Sequence, residues 1–171
     1  TIYATARDIE LLRDAISGEG YVPRKAQLLQ ELAKVDPRAA KDLLLQASED
    51  SSPLMRAAAA RAVCADSDSL LIDSLSKLLR DNDAEVRIEA ARSAGCINRA
   101  TLLAEAMSDE SIAVRRVAIA GCDTIEEGQS LVDRWEQIPA TLRPEAIGSL
   151  AASGNTAAEK LIIASLNADE Q

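Results

Sequence analysis

The sequence contains no histidine and no phenylalanine, and aromatic residues make up only 2% of its 171 residues. Catalysis of the Ser–His or Cys–His kind needs an imidazole as the base, so this chain cannot use it. The absence of histidine, together with three widely separated cysteines, also disfavours a zinc site. We therefore expect no catalytic residues, no metal and no cofactor, and we favour a protein that is not an enzyme.

Cysteine is scarce as well, with single residues at positions 64, 96 and 122. Each follows an alanine-rich segment, and their number is odd. These features favour reduced, partly buried thiols over a disulfide or a redox pair. They predict a cytoplasmic protein.

Positively charged residues are fewer than negatively charged ones. The chain has 19 Lys and Arg residues and 28 Asp and Glu residues, which gives a net charge of −9. An acidic chain repels phosphate backbones and anionic lipids, so we expect no nucleic-acid partner and no membrane surface. No apolar run approaches the roughly 20 residues of a membrane span. The N-terminus lacks the charged and then apolar pattern of a signal peptide.

The sequence is rich in one repeated phrase, best seen at residues 81–94. It consists of an acidic turn, a Val-Arg pair and an alanine-rich segment. The phrase returns at 109–118 and, in looser forms, at 50–59, 22–26 and 141–146. Its arginines are Arg24, Arg56, Arg87, Arg115 and Arg143, with spacings of 32, 31, 28 and 28. Repeats of about 20–50 residues are typical of solenoids.

Leucine-rich segments alternate with the arginine-bearing segments in the same phase. Leu44, Leu75, Leu103 and Leu131 mark the former, and an alanine stands three residues after each arginine from Arg56 onward. Such coherence predicts an all-α fold, an α-α superhelix of about five helix pairs plus an N-terminal helix. We assign residues 1–171 to one repeat domain, with a capping helix in 1–20, repeats in 22–166, and a tail or the start of a missing repeat in 167–171. Leu161 and Ile162 would then be under-covered.

Local signals place several helix starts and one core residue. Asp36 followed by Pro37 predicts an N-cap, and Thr124 with Glu127 predicts a capping box. Ser52 and Ser111 are predicted to cap the helices that follow them. The helical spacing of Trp135 from Leu131 and Val132 predicts that the indole lies in the core.

The phrase at 81–91 resembles the HEAT-repeat consensus, in the short form of the bacterial phycobilisome-lyase-like (PBS lyase HEAT-like) proteins. The resemblance covers about residues 22–166. It implies a right-handed solenoid whose Val-Arg helices line the concave side. It also implies that turn aspartates six residues before the arginines form a ladder with them, comprising Asp50, Arg56, Asp81, Arg87, Asp109 and Arg115. The last repeat departs from the pattern, since Gln137 replaces the aspartate and Pro144 follows Arg143.

Helical rotation from the core positions predicts that Arg61, Arg92 and Arg116 point toward the concave side. They are the candidate contacts for a partner, joined by Glu89. The leading functional hypothesis is a non-enzymatic scaffold that binds another protein there. The resemblance also suggests a bilin lyase or isomerase, or a phycobiliprotein chaperone. A third alternative, a HEAT-like DNA glycosylase, is disfavoured because the chain is acidic and Trp135 is nearly its only large aromatic residue.

Overall fold

The computed structural model describes residues 6–65 and 69–156, together with Glu159, Leu161 and Ile163. Within these residues it contains ten α-helices, three short 3-10 helices and no strand, so the predicted all-α class is confirmed. The α-helices are α1 (Ala6–Gly18), α2 (Val22–Val35), α3 (Pro37–Ser48), α4 (Pro53–Ala62), α5 (Ser69–Leu78), α6 (Ala84–Cys96), α7 (Ala100–Ala106), α8 (Ile112–Ala120), α9 (Ile125–Asp133) and α10 (Arg143–Ser153). The predicted tail 167–171 and Ile162 lie outside the described residues.

The chain forms two compact units, residues 1–93 and 94–171. In the first unit, α2 packs against α1, α3 and α4, while α5 packs against α3 and α4. Leu29, Leu32, Leu44 and Leu75 are at most 1% exposed and form the centre of this core. The arginine-bearing helices α2 and α4 thus contact each other, as the leucine-rich α3 and α5 do.

The second unit repeats this arrangement. Helices α8 and α10 pack together, α7 packs against α9, and each layer contacts the other. Its core is built on Leu103, Ile119, Leu131, Leu142 and Leu150. The leucine-rich helices and the alanine-rich, arginine-bearing helices each have one apolar face. They form two layers because each apolar face is buried against another helix.

The alanines three residues after each arginine are all buried, with exposures of 2% at Ala59 and 0% at Ala90, Ala118 and Ala146. A methyl group at these positions leaves room for a neighbouring helix to approach closely. Trp135 is also buried, as predicted, although it lies in the 3-10 helix Trp135–Gln137 after α9.

All four predicted helix starts are confirmed, but at two of them the predicted serine side-chain cap is wrong. Asp36 Oδ1 accepts a hydrogen bond from the Ala39 amide at 3.0 Å, and Thr124 and Glu127 form the capping box. The side chains of Ser52 and Ser111 make no cap hydrogen bond. Their own amides instead donate to Asp50 and Asp109, at 2.8 and 2.7 Å, so the aspartate two residues earlier orders each turn.

The expectation of three reduced thiols is wrong. Cys64 and Cys96 are disulfide-bonded, and only Cys122 among the three is free. The cysteines therefore no longer support a reducing compartment. Among the described residues, no helix combines the length and the apolar character needed to cross a bilayer.

Candidate functional site: the arginine-bearing helices

The arginine at the start of α4 joins two successive turns of the first unit. Arg56 Nε and Nη2 donate to the two carboxylate oxygens of Asp81, at 2.6 and 2.9 Å. Arg56 Nη1 donates to the main-chain carbonyl of Asp50 at 2.9 Å. The arginine thus binds its own turn through a main-chain carbonyl and the next turn through a carboxylate.

The contact with the preceding turn recurs in both units. Arg87 Nη1 donates to the Asp81 carbonyl at 2.8 Å, and Arg115 Nη1 donates to the Asp109 carbonyl at 2.6 Å. In each case the arginine follows the aspartate by six residues, the spacing found in the sequence. In both contacts the acceptor is the main-chain carbonyl of the aspartate.

The Arg56–Asp81 pair is held in its charged form. The hydrogen bond from Arg56 lowers the pKa of Asp81, and burial only partly opposes this effect. The same hydrogen bond raises the pKa of Arg56. The side chains are 18% and 9% exposed, so water screens the pair only weakly.

The ladder is incomplete at the last repeat, where Gln137 stands in place of the aspartate. Arg115 Nε is buried without a hydrogen-bond partner. Arg143 lies over the ring of Trp135, with its guanidinium carbon 5.4 Å from the ring centroid, and its Nε is also buried without a partner. Unpaired buried N–H groups reduce the stability that these arginines contribute.

Three of the four predicted contact residues form one cluster on the first unit, which we call the Glu89 cluster. Arg61 makes a two-point contact with the Glu89 carboxylate, through Nε and Nη2, each at 3.0 Å. Arg92 Nε lies 3.5 Å from Glu89 Oε2. The arginine side chains are 52% and 59% exposed, whereas Glu89 is 12% exposed. One sheltered carboxylate thus orients two exposed guanidinium groups.

Arg116, the fourth predicted residue, lies in the second unit. Its Nε is 3.4 Å from Glu145 Oε1, and its side chain is 54% exposed. Glu145 was not predicted, but it follows Arg143 by two residues, as Glu89 follows Arg87. That spacing is the signal by which sequence reasoning could have found it.

Glu127 is the most deeply buried charged side chain of the second unit, with no exposed surface. Its Oε2 accepts the amides of Asp123 and Thr124, at 3.1 and 3.0 Å, which stabilises the start of α9. Its Oε1 has no hydrogen-bond partner. No group of three or more potential metal-binding side chains occurs among the described residues.

A family model described as HEAT repeats matches residues 9–95 and 40–120. These ranges together cover well over half of the chain and include the Arg56–Asp81 pair and the Glu89 cluster. No curated protein matches the chain significantly. The helix pairs, the recurring arginine contacts and the family match lead to one conclusion: the chain belongs to the HEAT-repeat family.

Proposed function

We propose that the chain is a non-enzymatic scaffold that binds another protein through the exposed face of its arginine-bearing helices. The observation that carries the proposal is the Glu89 cluster. Two arginines more than half exposed share a single sheltered carboxylate, and the cluster is therefore locally positive. On a chain of net charge −9, such a patch favours an acidic segment of a partner.

The geometry of the cluster suits recognition because Glu89 holds the guanidinium groups in place before a partner arrives. An arginine that is already oriented loses less conformational freedom on binding. Arg61 and Arg92 have no other hydrogen-bond partner within the described part of the chain, so their remaining N–H groups can donate to a carboxylate. Arg116 adds an exposed cation on the second unit.

Affinity purification from native lysate, followed by binding measurements with the purified partner, tests the proposal. We expect Arg61→Glu, Arg92→Glu and Arg116→Glu to weaken binding while the helical circular dichroism spectrum stays the same. Arg38→Glu makes the same charge change on the leucine-rich helix α3, where Arg38 is exposed, and should leave binding intact. Unchanged binding in all three variants would show that the surface is assigned wrongly.

We propose further that this surface is the concave side of the repeat array, that the chain is of the PBS lyase-like subtype, and that the protein is cytoplasmic. A bilin-related activity predicts an absorbance change when the protein is mixed with a linear tetrapyrrole.

A further inference from the structure

The first unit contains a cavity of about 220 Å³ between α1, α2 and α3 and the turn before α4. Ile16, Leu29 and Met55 contribute apolar walls, while Lys25 and Asp50 contribute charged groups. None of the residues in the Glu89 cluster lines this cavity. The cavity is therefore separate from the proposed scaffold surface.

Arg56 and Asp81 form an ion pair at a separation of 25 residues. The cavity lies where the same separation would place an equivalent pair one repeat earlier. Lys25 precedes Asp50 by 25 residues, the same separation as between Arg56 and Asp81. Asp50 Oδ1 accepts the amide two residues later at 2.8 Å, and Asp81 Oδ1 does the same at 2.9 Å. The two carboxylates therefore hold equivalent turns.

Lys25 and Asp50 nevertheless form no equivalent ion pair within the described residues. Lysine is shorter than arginine and lacks its planar fork, and Lys25 makes no ion pair within the described residues. Arg24 is 70% exposed and pairs instead with Glu19, at 3.3 Å. Among the described residues, only the Ser52 amide donates to the Asp50 side chain. Asp50 Oδ2 thus retains its capacity to accept.

We propose that this cavity is a binding site for the guanidinium group of an arginine side chain from a partner protein. The guanidinium pairs with Asp50 as that of Arg56 pairs with Asp81. The methylene stem of the arginine packs against Ile16, Leu29 and Met55, which gives an amphipathic side chain both kinds of contact. When the guanidinium binds, the flexible stem of Lys25 allows its ammonium to turn away from the cavity toward solvent.

The probe is N-acetyl-L-arginine methylamide, a single arginine without terminal charges. The comparison ligand is the matching citrulline derivative, which has nearly the same shape but no charge. In ¹H–¹⁵N NMR titrations we expect saturable shifts of the Ser52 and Met55 amides with the arginine probe, with a Kd of about 1 mM. Citrulline should bind at least about tenfold more weakly, a difference that corresponds to one lost charge-assisted contact.

Two variants separate this site from general surface binding. Lys25→Arg places a guanidinium of the chain itself beside Asp50, and we expect it to abolish the shifts and raise the melting temperature. Asp50→Asn keeps an oxygen to hold the Ser52 amide but removes the charge, and should weaken binding by about tenfold or more. Equal shifts with both ligands, no saturable shifts, or full binding by Lys25→Arg would each overturn the proposal.

Discussion

The guanidinium of Arg56 binds the carboxylate of Asp81 through two parallel hydrogen bonds, from the start of α4 to the turn before α6. The same guanidinium binds the Asp50 carbonyl in the turn before α4. One side chain thus ties together two turns that lie 31 residues apart in the sequence. The arrangement stabilises contact between neighbouring repeats, because bidentate Arg–carboxylate pairs fix orientation as well as distance.

Asp81→Asn should destabilise the chain at neutral pH by about 1–2 kcal/mol, because Arg56 then loses its charged acceptor in a largely buried site. The folded pKa of Asp81 is lowered, so its contribution is present above the unfolded value of about 3.9 and fades as the pH falls through the folded value. Urea unfolding between about pH 7 and pH 2 measures this. The difference between wild type and variant should shrink with acidification.

Asp42→Asn is the control for this experiment, since Asp42 is exposed on α3 and has no ion pair in the described part of the chain. It should change the free energy of unfolding by less than about 0.5 kcal/mol at any pH. A pH-independent loss in Asp81→Asn would show that the pair acts through shape rather than charge.

Arg56→Leu should cost more stability than Arg115→Leu. Arg56 uses three nitrogens in hydrogen bonds, whereas Arg115 Nε is buried without an acceptor. Removing an unpaired buried N–H group relieves a desolvation cost, so we expect a difference of about 1 kcal/mol. Chemical denaturation of the two variants under one condition measures it, and an equal loss would contradict the explanation.

Gly128→Ala and Gly148→Ala should have opposite effects. A Cβ atom at Gly128 in α9 would lie 2.3 Å from Ser153 Oγ and 2.8 Å from Ser153 Cβ, so the neighbouring chain would have to move. We expect a loss of about 1–3 kcal/mol. At Gly148 in α10 an added Cβ atom would meet nothing within 4 Å beyond its chain neighbours and its own helix backbone, and alanine should stabilise the helix by roughly 0.5–1 kcal/mol. Thermal unfolding of both variants checks the signs.

The thiol of Cys122 should react slowly in the folded protein. Burial raises its pKa to about 12, and the negative charges of Glu127 and Asp123 add to this effect. At pH 8, iodoacetamide should label the Cys122 peptide far more slowly than in urea, as mass spectrometry would show. Comparable rates in the two conditions would contradict the buried position.

The raised pKa of Cys122 also makes the free energy of unfolding fall at high pH. The folded pKa lies above the unfolded value of about 8.5, so the contribution is complete below that value and is lost as the pH rises toward 12. Cys122→Ala should show a smaller loss of stability over this range. An identical alkaline profile would show that the thiol is not the responsible group.

The Arg61–Glu89 contact could be predicted only in part from the sequence. Rotation about a helix axis predicted that Arg61 and Arg92 lie on one face, because the period of 3.6 residues is a local property. That Glu89 is sheltered and binds both arginines depends on the distance between α4 and α6, which no periodicity within one helix contains. The cavity beside Asp50 was missed for the same reason.

The sequence by itself determined the all-α class, the alternation of leucine-rich and arginine-bearing helices, and the buried alanines, since these follow from local propensity and a regular period. Tertiary packing decided which acceptor each arginine uses. The Asp50 and Asp81 carboxylates have the same spacing from their own arginines, yet of these two only Asp81 receives a guanidinium from the described part of the chain. The sequence predicted that Cys64 and Cys96 are reduced thiols, but each is disulfide-bonded, and disulfide geometry depends on tertiary packing. Contacts across repeats depend on how far apart the helices settle, and that distance results from all the packed side chains together.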